Sequence, residues 1–439
     1  MATPSAGTLL DSRAGTPAAK RTNYRWTLAI FVHLFAFMSY MDRINLSVAT
    51  PAIIKELHFT LVEIGTIQTA FFVCYALCQI PSGMLTEYFG HRRVLAFAVI
   101  WWSVFTSVTA LCGKFSSWIV VRSVFAIGES PVYPGSNTAI SIWFPKKERG
   151  KAAGFLQSGG CVGRIVGIPL AVYILATWGW RAIFLVFGLV GIVLATAYYK
   201  LMRTHPRESR FVNQAELDYI TEGREASTGT KRSIPPWKVF FRSSQFWAII
   251  IPAAATNFIN YIFVAWLPVY LLQAHHFSLK QMGAAAGLVF AAEASGGLTG
   301  GAIADHVLRT QRGSPRIRAW LGGMGLLVCC CGLCMTAIST GQWPTVMWLA
   351  LSLCSMGFSF SAIWASCADM GGKFTGTLTG WTNFWGNLIG GGLGPILIAW
   401  ISSQYNWQAA ILVTASVGAV GAIGWIFVKP DIPLRTTLS

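Results

Sequence analysis

Two stretches of this sequence repeat one short pattern: GMLTEYFGHRR at residues 83–93 and GAIADHVLR at residues 301–309. In each copy a glycine at the end of an apolar segment is followed by an acid and then by arginine. A pattern that recurs at equivalent places indicates an internal repeat. We therefore predict two similar halves, with close helix contacts at the glycines and charged residues that hold one side of the interface shut. The predicted gating residues are Gly83, Glu87, Arg92, Arg93, Gly301, Asp305 and Arg309.

The composition indicates that a lipid bilayer is the solvent. Hydrophobic residues make up 54% of the 439 residues and charged residues only 11%, whereas a soluble domain is about 25% charged. The mean hydropathy is +0.55. A helix needs roughly 20 apolar residues to span a bilayer. The sequence predicts an all-α membrane protein with twelve transmembrane helices in two six-helix halves. The windows are residues 26–48, 65–86, 94–112, 118–141, 151–173, 181–201, 245–272, 282–304, 319–338, 345–368, 375–401 and 408–428.

The distribution of cations predicts the topology. Loops rich in Lys and Arg stay in the cytoplasm, and with both termini placed inside, 26 of the 33 Lys and Arg residues fall on that side. This topology divides the chain into five parts. They are a cytoplasmic tail over 1–25, an N-terminal half over 26–202, a cytoplasmic linker over 203–244 with a short surface helix beginning at the cap residue Asn213, a C-terminal half over 245–429 and a cytoplasmic tail over 430–439.

The net charge of +17 is explained by this topology and by attraction to anionic lipid headgroups. We therefore expect the lipid bilayer, and no nucleic acid, as the macromolecular partner. The ten cysteines lie in predicted spans, and no external loop carries a pair. Neither a disulfide nor a metal site is expected. We also expect no cofactor and a monomeric protein.

Charged side chains inside the apolar windows mark the candidate functional residues. A charge at the bilayer centre costs about 2.5 to 3.5 kcal/mol on insertion scales, so such residues are expected on a polar path through the protein. The sequence has no His-Glu-x-x-His motif, no Walker phosphate loop and no Gly-x-Ser-x-Gly elbow, which disfavours a membrane enzyme or an ATP-driven pump. A carrier is favoured, and a carrier-like receptor is the alternative. The embedded residues are Asp42, Arg43, Arg122, Glu129, Arg164 and Glu293.

Four further motifs narrow the interpretation: YMDRINL at residues 40–46, GESPVYPG at 128–135, WFPKKERG at 143–150 and GFLQSG at 154–159. With the repeated loop, in which Glu87 replaces the usual Asp, they resemble the anion:cation symporter family of the major facilitator superfamily. That family includes bacterial galactonate, glucarate, hexuronate and phthalate carriers and the animal sialin and vesicular glutamate transporters. The short loop after the first window, about residues 51–65, favours a bacterial inner-membrane carrier.

The resemblance implies roles for residues that match the family motifs. It implies substrate binding by Arg43 and proton coupling by Asp42 and Glu129. Buried asparagines can equally join helices to one another, so that alternative stays open for the two asparagines in the set. The further substrate contacts implied by the resemblance are Tyr75, Ser361, Trp364, Asn383 and Asn387.

Helical geometry and side-chain chemistry support Arg43 independently. Tyr40, Arg43 and Ser47 share one helix face, and Asp42 lies about 100° away from Arg43. A guanidinium holds a carboxylate with two parallel hydrogen bonds and stays charged at physiological pH. The residues on this face, Tyr40 and Arg43, are predicted to bind substrate. A permanent ion pair of Arg43 with Asp42 or Glu129 is the structural alternative.

Arg122 and Glu129 are seven residues apart and share a face of the fourth window. We predict that protonation of Glu129 and Asp42 removes their hold on Arg43 or Arg122, so that the released cation accepts an organic anion. Arg122, Asp42 and Glu129 are therefore the predicted proton-coupling group. The alternative is that both acids are structural partners of the arginines.

Arg164 and Glu293 lie outside the family pattern. Arg164 either binds the second carboxylate of a dianion or balances Glu129, and Glu293 is either a proton site or a partner of Arg164. We predict a proton-coupled symporter that imports a small organic anion, a sugar acid such as galactonate, a hexuronate or glucarate, by alternating access. Its alternatives are a carrier of an aromatic or small dicarboxylate such as phthalate or tartrate, and a uniporter or exchanger without proton coupling.

Overall fold

The computed structural model describes residues 21–145, 147–222, 241–310, 316–371 and 375–432, and these ranges are almost entirely helical, without a β-strand. The N-terminal helices are α1 (Arg25–Leu57), α2 (Leu61–Phe89), α3 (His91–Thr109), α4 (Phe115–Glu129), α5 (Val132–Trp143), α6 (Arg149–Trp178) and α7 (Trp180–Leu201). A short helix, α8 (Gln214–Thr221), follows them. The C-terminal helices are α9 (Ser244–His275), α10 (Leu279–Thr310), α11 (Arg316–Ile338), α12 (Gln342–Gly371), α13 (Thr375–Gly386), α14 (Gly392–Gln404) and α15 (Trp407–Phe427).

Nine helical stretches in the described ranges are long and apolar enough to cross a membrane. The window 118–141 is expected to form one helix, but it forms two, because α4 ends at Glu129 and α5 begins at Val132. Pro131 lies at this break; proline lacks the N–H that a continuing helix needs and clashes with the preceding turn. The break places the carboxylate of Glu129 at the end of α4.

The eleventh window is also interrupted. Between α13 and α14, Asn387–Gly391 form a π-helical turn, a feature that is frequent at functional sites. A Cβ atom on Gly390 would lie 2.6 Å from the backbone nitrogen of Phe258, and one on Gly391 would lie 2.5 Å from Cγ of Phe72. Only glycine fits these contacts, which bring α9 and α2 against the turn.

Glycines also set the packing within each half. A Cβ on Gly163 of α6 would lie 2.5 Å from the carbonyl oxygen of Phe37 in α1. A Cβ on Gly296 of α10 would clash with the carbonyl oxygen of Cys354 in α12. Small residues let helix backbones approach closely in a membrane. These contacts fix the rotation of α6 and α10, the two helices that carry Arg164 and Glu293.

The two halves meet along α1 and α9, α2 and α14, and α6 and α10. The hydroxyl of Ser47 donates to the carbonyl of Ala265 at 2.7 Å. A Cβ on Gly65, near the start of α2, would lie 2.9 Å from Cβ of Ala399, near the end of α14. The start of α2 and the end of α14 therefore mark one closely packed end of the interface.

Buried ion pairs hold the linker helix α8 against the N-terminal half. Asn213 caps α8 by accepting from the Glu216 N–H at 3.0 Å, and Glu216, fully buried, accepts from Nη1 of Arg25 at 2.9 Å. Arg25 Nε also donates to Glu148 at 2.8 Å. Burial raises the pKa of Glu148, but hydrogen bonds from Arg25 and Tyr219 outweigh burial and lower that pKa below its usual value. The N-terminal end of α1 is thus tied to the linker.

Candidate transport site

A buried ion pair joins α1 to α4. Nε and Nη2 of Arg43 each lie 2.8 Å from Oε1 of Glu129, and the two residues are 4% and 0% exposed. The hydroxyl of Ser39 donates to the same oxygen. Both nitrogens on one edge of the guanidinium therefore face a single carboxylate oxygen, while Oε2 of Glu129 is buried without a hydrogen-bond partner in the described ranges.

Aromatic rings surround the guanidinium of Arg43. Its Cζ atom lies 4.5 Å from the ring centroid of Tyr75, 5.2 Å from that of Tyr40, 5.3 Å from that of Phe71 and 5.9 Å from that of Phe72. Aromatic faces attract a cation electrostatically, most strongly where water is excluded. Arg43 is therefore held in place by rings that carry no negative charge. Only Glu129 or a bound ligand can give its guanidinium a full anionic partner.

A second group of embedded charges has incomplete hydrogen bonding. Arg122 is 2% exposed, and its Cζ atom lies 4.4 Å from the ring centroid of Phe125. Its Nε and Nη1 atoms have no hydrogen-bond partner within the described residues. Asp42 accepts from Asn45 at 3.1 Å through Oδ1, whereas Oδ2 is buried and unpartnered in the same part of the chain. Both side chains therefore keep buried polar atoms that lack hydrogen-bond partners within the described residues.

Arg164 and Glu293 form an ion pair across the two halves. Nη1 of Arg164 lies 2.9 Å from Oε1 and 2.7 Å from Oε2 of Glu293, and each residue is 5% exposed. Asn260 of α9 also donates to Oε1 at 2.8 Å. The carboxylate is therefore anchored within its own half by Asn260 while it binds a cation of the other half.

A chain of hydrogen bonds also crosses the interface. Gln79 donates to the hydroxyl of Tyr75 at 3.2 Å and accepts from Asn383 at 3.0 Å. Asn387 donates to Oδ1 of Asn383 at 3.0 Å and accepts from the hydroxyl of Tyr261 at 2.6 Å. Tyr75 packs near Arg43, so amides and hydroxyls extend from the cation of one half to α9 and α13 of the other.

A known family matches most of the sequence that forms these two helical halves. The sequence profile of the Major Facilitator Superfamily matches residues 32–392. The chain belongs to the Major Facilitator Superfamily. The predicted fold class is thereby confirmed, and this major facilitator protein is an integral membrane transporter and not an enzyme.

Relatives of this major facilitator chain cover nearly its whole length. A probable galactarate/D-glucarate transporter of Bacillus subtilis is 28% identical over 94% of this chain and 93% of its own length. The D-galactonate transporter of Escherichia coli is 29% identical over 94% and 98%. Among solved structures, a bacterial homologue of the human lysosomal transporter Spinster shares the fold, with a TM-score of 0.78 and 19% identity over 94% and 98% of the two chains.

Two of the substrate residues expected for this major facilitator protein lie apart from the polar chain. Ser361 donates to the carbonyl of Phe358, one turn earlier in its own helix, at 3.0 Å. Trp364 packs on Phe360 with ring centroids 5.8 Å apart, and its indole nitrogen has no hydrogen-bond partner in the described ranges. No hydrogen bond among the described residues links either side chain to Arg43 or Arg164.

Sequence reasoning missed residues that complete the site. Asn260 and Tyr261 lie in the middle of α9 and bind Glu293 and Asn387, respectively. Tyr133 is close to Tyr40 at the position of Gly160, where an added Cβ would lie 3.2 Å from the Tyr133 hydroxyl and 2.7 Å from the Tyr40 ring. A polar pair inside an apolar run is the signal that points to Asn260 and Tyr261.

The two repeated loops make contacts mostly within their own halves. Gly83 lies near Pro134: a Cβ added to Gly83 would lie 3.6 Å from Cβ of Pro134. Arg92 donates to the carbonyl of Tyr199 at 2.8 Å and 3.0 Å, and Glu87 and Arg93 are exposed.

In the second copy, Asp305 lies 3.8 Å from Arg318, which pairs with Asp369 at 2.9 Å. Gly301 lies near Ser361: a Cβ added to Gly301 would lie 4.0 Å from Cβ of Ser361. The side chain of Arg309 falls outside the described part of the chain. The backbone of this residue belongs to α10.

Proposed function

We propose that this major facilitator protein is a proton-coupled symporter that imports an organic carboxylate by alternating access. The observation that carries the proposal is the ion pair in which Glu129 occupies one edge of Arg43. An arginine binds a carboxylate best through such an edge, with two parallel hydrogen bonds. Glu129 and a substrate carboxylate therefore compete for the same donors.

Protons decide this competition. When Glu129 is ionised, it neutralises Arg43; when it is protonated, it loses most of its attraction for the guanidinium, and the substrate anion takes its place. The affinity for the anion is then highest at low pH and falls as the pH rises. Binding of a proton and binding of the substrate are favourable to each other, which is the thermodynamic requirement for symport.

Asp42 and Arg122 form the second part of the proposed coupling group. Both are buried and carry polar atoms without partners in the described ranges. Neither contacts the Arg43–Glu129 pair through a hydrogen bond in those ranges. Asp42 is proposed to load and release a proton during the movement of the halves, with Arg122 as its charge partner.

The proposed substrate is a sugar acid such as galactonate, a hexuronate or glucarate. The names of the galactarate/D-glucarate and D-galactonate relatives support this choice. Hydroxyl groups of such a substrate find donors and acceptors in Tyr75, Gln79, Asn383 and Asn387. Ser361 and Trp364 are proposed to join the site when the halves move.

The surroundings of the site are part of the proposal. The protein is proposed to act as a monomer in a bacterial inner membrane with both termini in the cytoplasm, and the division into 26–202, the linker 203–244 and 245–429 gives the two moving halves and their connection. The repeated loops at residues 83–93 and 301–309 are proposed to gate the cytoplasmic side. The closely packed end at Gly65 and Ala399 then faces outward.

Uptake by purified protein in liposomes tests this function. Labelled galactonate is expected to accumulate under an inward proton gradient and not without one, and Glu129→Gln is expected to abolish accumulation while retaining exchange. Glu56→Gln is the matched control, because Glu56 forms an exposed ion pair with Arg181 at 2.5 Å. This control variant should transport normally.

Three other outcomes would reject the proposal in distinct ways. Equal uptake with and without the gradient identifies a uniporter or exchanger. Binding without uptake identifies a receptor. Accumulation of phthalate or tartrate, with no response to galactonate, galactarate or a hexuronate, replaces the sugar acid by an aromatic or small dicarboxylate substrate.

A further inference from the structure

We propose that Arg164 forms a second carboxylate subsite, so that the substrate class of this transporter is a small dicarboxylate held by Arg43 at one end and by Arg164 at the other. The proposal rests on the function proposed above, in which Arg43 takes the first carboxylate. The cross-half partner Glu293 is assigned a positioning role: it orients Arg164 and stays in place when substrate binds.

The edge of Arg164 formed by Nε and Nη2 faces no carboxylate in the described ranges. Only Nη1 contacts Glu293, at 2.9 Å and 2.7 Å from the two oxygens. Nε is buried without a hydrogen-bond partner in the described ranges, and Nη2 donates only to the sulfur of Cys161, a weak acceptor, at 3.9 Å. The pair Nε and Nη2 is one of the two-donor edges with which a guanidinium binds a carboxylate. A buried donor without an acceptor is unfavourable, so an anion that reaches this edge is stabilised.

Glu293 does not have to leave for this anion to bind. Its Oε1 atom accepts from Asn260 at 2.8 Å as well as from Arg164, so the carboxylate is held from both halves. Arg164 can therefore keep Glu293 on Nη1 and take a ligand on the opposite edge. The subsite consequently needs no proton of its own, in contrast to Arg43.

The ring of Tyr40 lies near both cations. Cζ of Arg43 lies 5.2 Å and Cζ of Arg164 lies 5.1 Å from the centroid of the same Tyr40 ring. The two guanidinium carbons are therefore at most about 10 Å apart, a distance that one small dicarboxylate can bridge with a carboxylate at each end. Gly160 preserves this arrangement, because a Cβ there would lie 2.7 Å from the Tyr40 ring.

The charge count agrees with a dianion. Three embedded arginines and three embedded acids sum to zero when all are ionised. Protonation of the two coupling acids leaves a charge of +2, which a dicarboxylate neutralises and a monocarboxylate leaves at +1. Uncompensated charge in a buried site is strongly unfavourable. The groups counted are Arg43, Arg122, Arg164, Asp42, Glu129 and Glu293.

Galactarate and galactonate form a matched pair of probes, since they differ by one terminal carboxylate. The affinity of the purified full-length protein for each acid is measured by calorimetry at one pH, in the wild type and in Arg164→Gln/Glu293→Gln. The double variant removes both charges, because Arg164→Gln alone leaves Glu293 buried and unpaired. Arg181→Gln/Glu56→Gln, at the exposed pair, is the control for loss of an ion pair.

Wild-type protein is expected to prefer galactarate, and the double variant is expected to lose galactarate affinity by about tenfold or more, the equivalent of one charged hydrogen-bond contact. Galactonate affinity should fall by a much smaller factor. An equal fall for both acids, or a wild-type preference for galactonate, overturns the second subsite alone. If neither acid binds the wild type, the sugar-acid function itself is wrong, and the subsite is rejected with it.

Proton counting tests the role of Glu293. The number of protons taken up per galactarate bound is obtained by calorimetry in buffers of different ionisation enthalpy. Glu293→Gln is expected to leave that number unchanged, whereas Glu129→Gln lowers it. A loss of one proton in Glu293→Gln would show that Glu293 must be protonated before the dianion binds, which contradicts the open-edge arrangement.

Discussion

Two of the buried arginine–glutamate pairs of this transporter, Arg43–Glu129 and Arg164–Glu293, have the same composition and different geometry. Arg43 presents two nitrogens to one oxygen of Glu129, and both residues belong to the N-terminal half. Arg164 presents one nitrogen to both oxygens of Glu293, and that pair joins the two halves. In the first pair the carboxylate blocks the binding edge of the arginine. In the second pair the Nε–Nη2 edge faces no carboxylate in the described ranges.

This difference separates two tasks that a coupled carrier must perform. A pair whose acid competes with the substrate makes anion binding depend on protonation. In the proposed second subsite, a pair that leaves one arginine edge without a carboxylate adds affinity without adding a proton, and its position across the interface lets substrate binding act on both halves. In the proposed mechanism, geometry within an ion pair, and not its residue types, therefore distinguishes a proton-coupled site from a fixed one.

The largest expected effect comes from changing the first pair. Arg43→Lys keeps the charge but replaces the two-donor edge by a compact ammonium, and galactonate affinity is expected to fall by about 100-fold, since two charged hydrogen bonds lose their geometry. Calorimetric titration measures the loss. Arg181→Lys, in the exposed pair with Glu56, is the control and should bind normally. A fall of less than about threefold in Arg43→Lys would be inconsistent with a bidentate anchor.

The next effect compares the two acids directly. At alkaline pH, Glu129→Gln is expected to raise galactonate affinity by about tenfold, because the neutral amide no longer competes for Arg43. Glu293→Gln should produce no comparable gain, because Glu293 does not cover the edge that binds substrate. Affinity is measured for both variants across a pH series. A similar gain in both variants would remove the distinction between the pairs.

The smallest effect concerns the anchor of the second pair. Asn260→Ala removes the hydrogen bond of 2.8 Å that holds Glu293 in its own half, and galactarate affinity is expected to fall by about threefold, the effect of one hydrogen bond of modest net strength. Gln245→Ala, at an exposed helix-end contact, serves as a control. If Asn260→Ala lowers galactonate affinity by the same factor, the residue acts on the whole site and not on Arg164.

Much of the candidate site is recognisable from sequence because the residues that indicate it are close together on one helix. Arg43 stands inside an apolar window, and its position three residues after Tyr40 puts both on one face. The sequence leaves the pairing of Arg164 with Glu293, 129 positions away, as only one of two alternatives, and the structure shows that the two residues pair. Helical periodicity gives the face of a residue but not the helix that packs against that face.

Some structural details, such as helix breaks and buried amides, have signals in the sequence, but these signals are weaker than the apolar pattern. Pro131 explains why the window 118–141 becomes α4 and α5, yet prolines also occur inside unbroken helices such as α6, which contains Pro169. The amides of Asn260 and Asn387 are recognisable as buried polar residues, but their partners are not. A hydrogen bond between side chains on separate helices depends on the rotation of both.

The sequence by itself determined that this chain is a helical membrane protein with charged residues inside its apolar segments, because the solvent of a helix is decided by the composition of about 20 consecutive residues. Only the tertiary structure decided which edge of each arginine is occupied. That choice depends on how closely α1, α6 and α10 approach their neighbours, and the approach is set by glycine contacts such as Gly163 on Phe37 and Gly296 on Cys354. Shifts of an ångström there change which donors meet a carboxylate, whereas the apolar pattern stays the same.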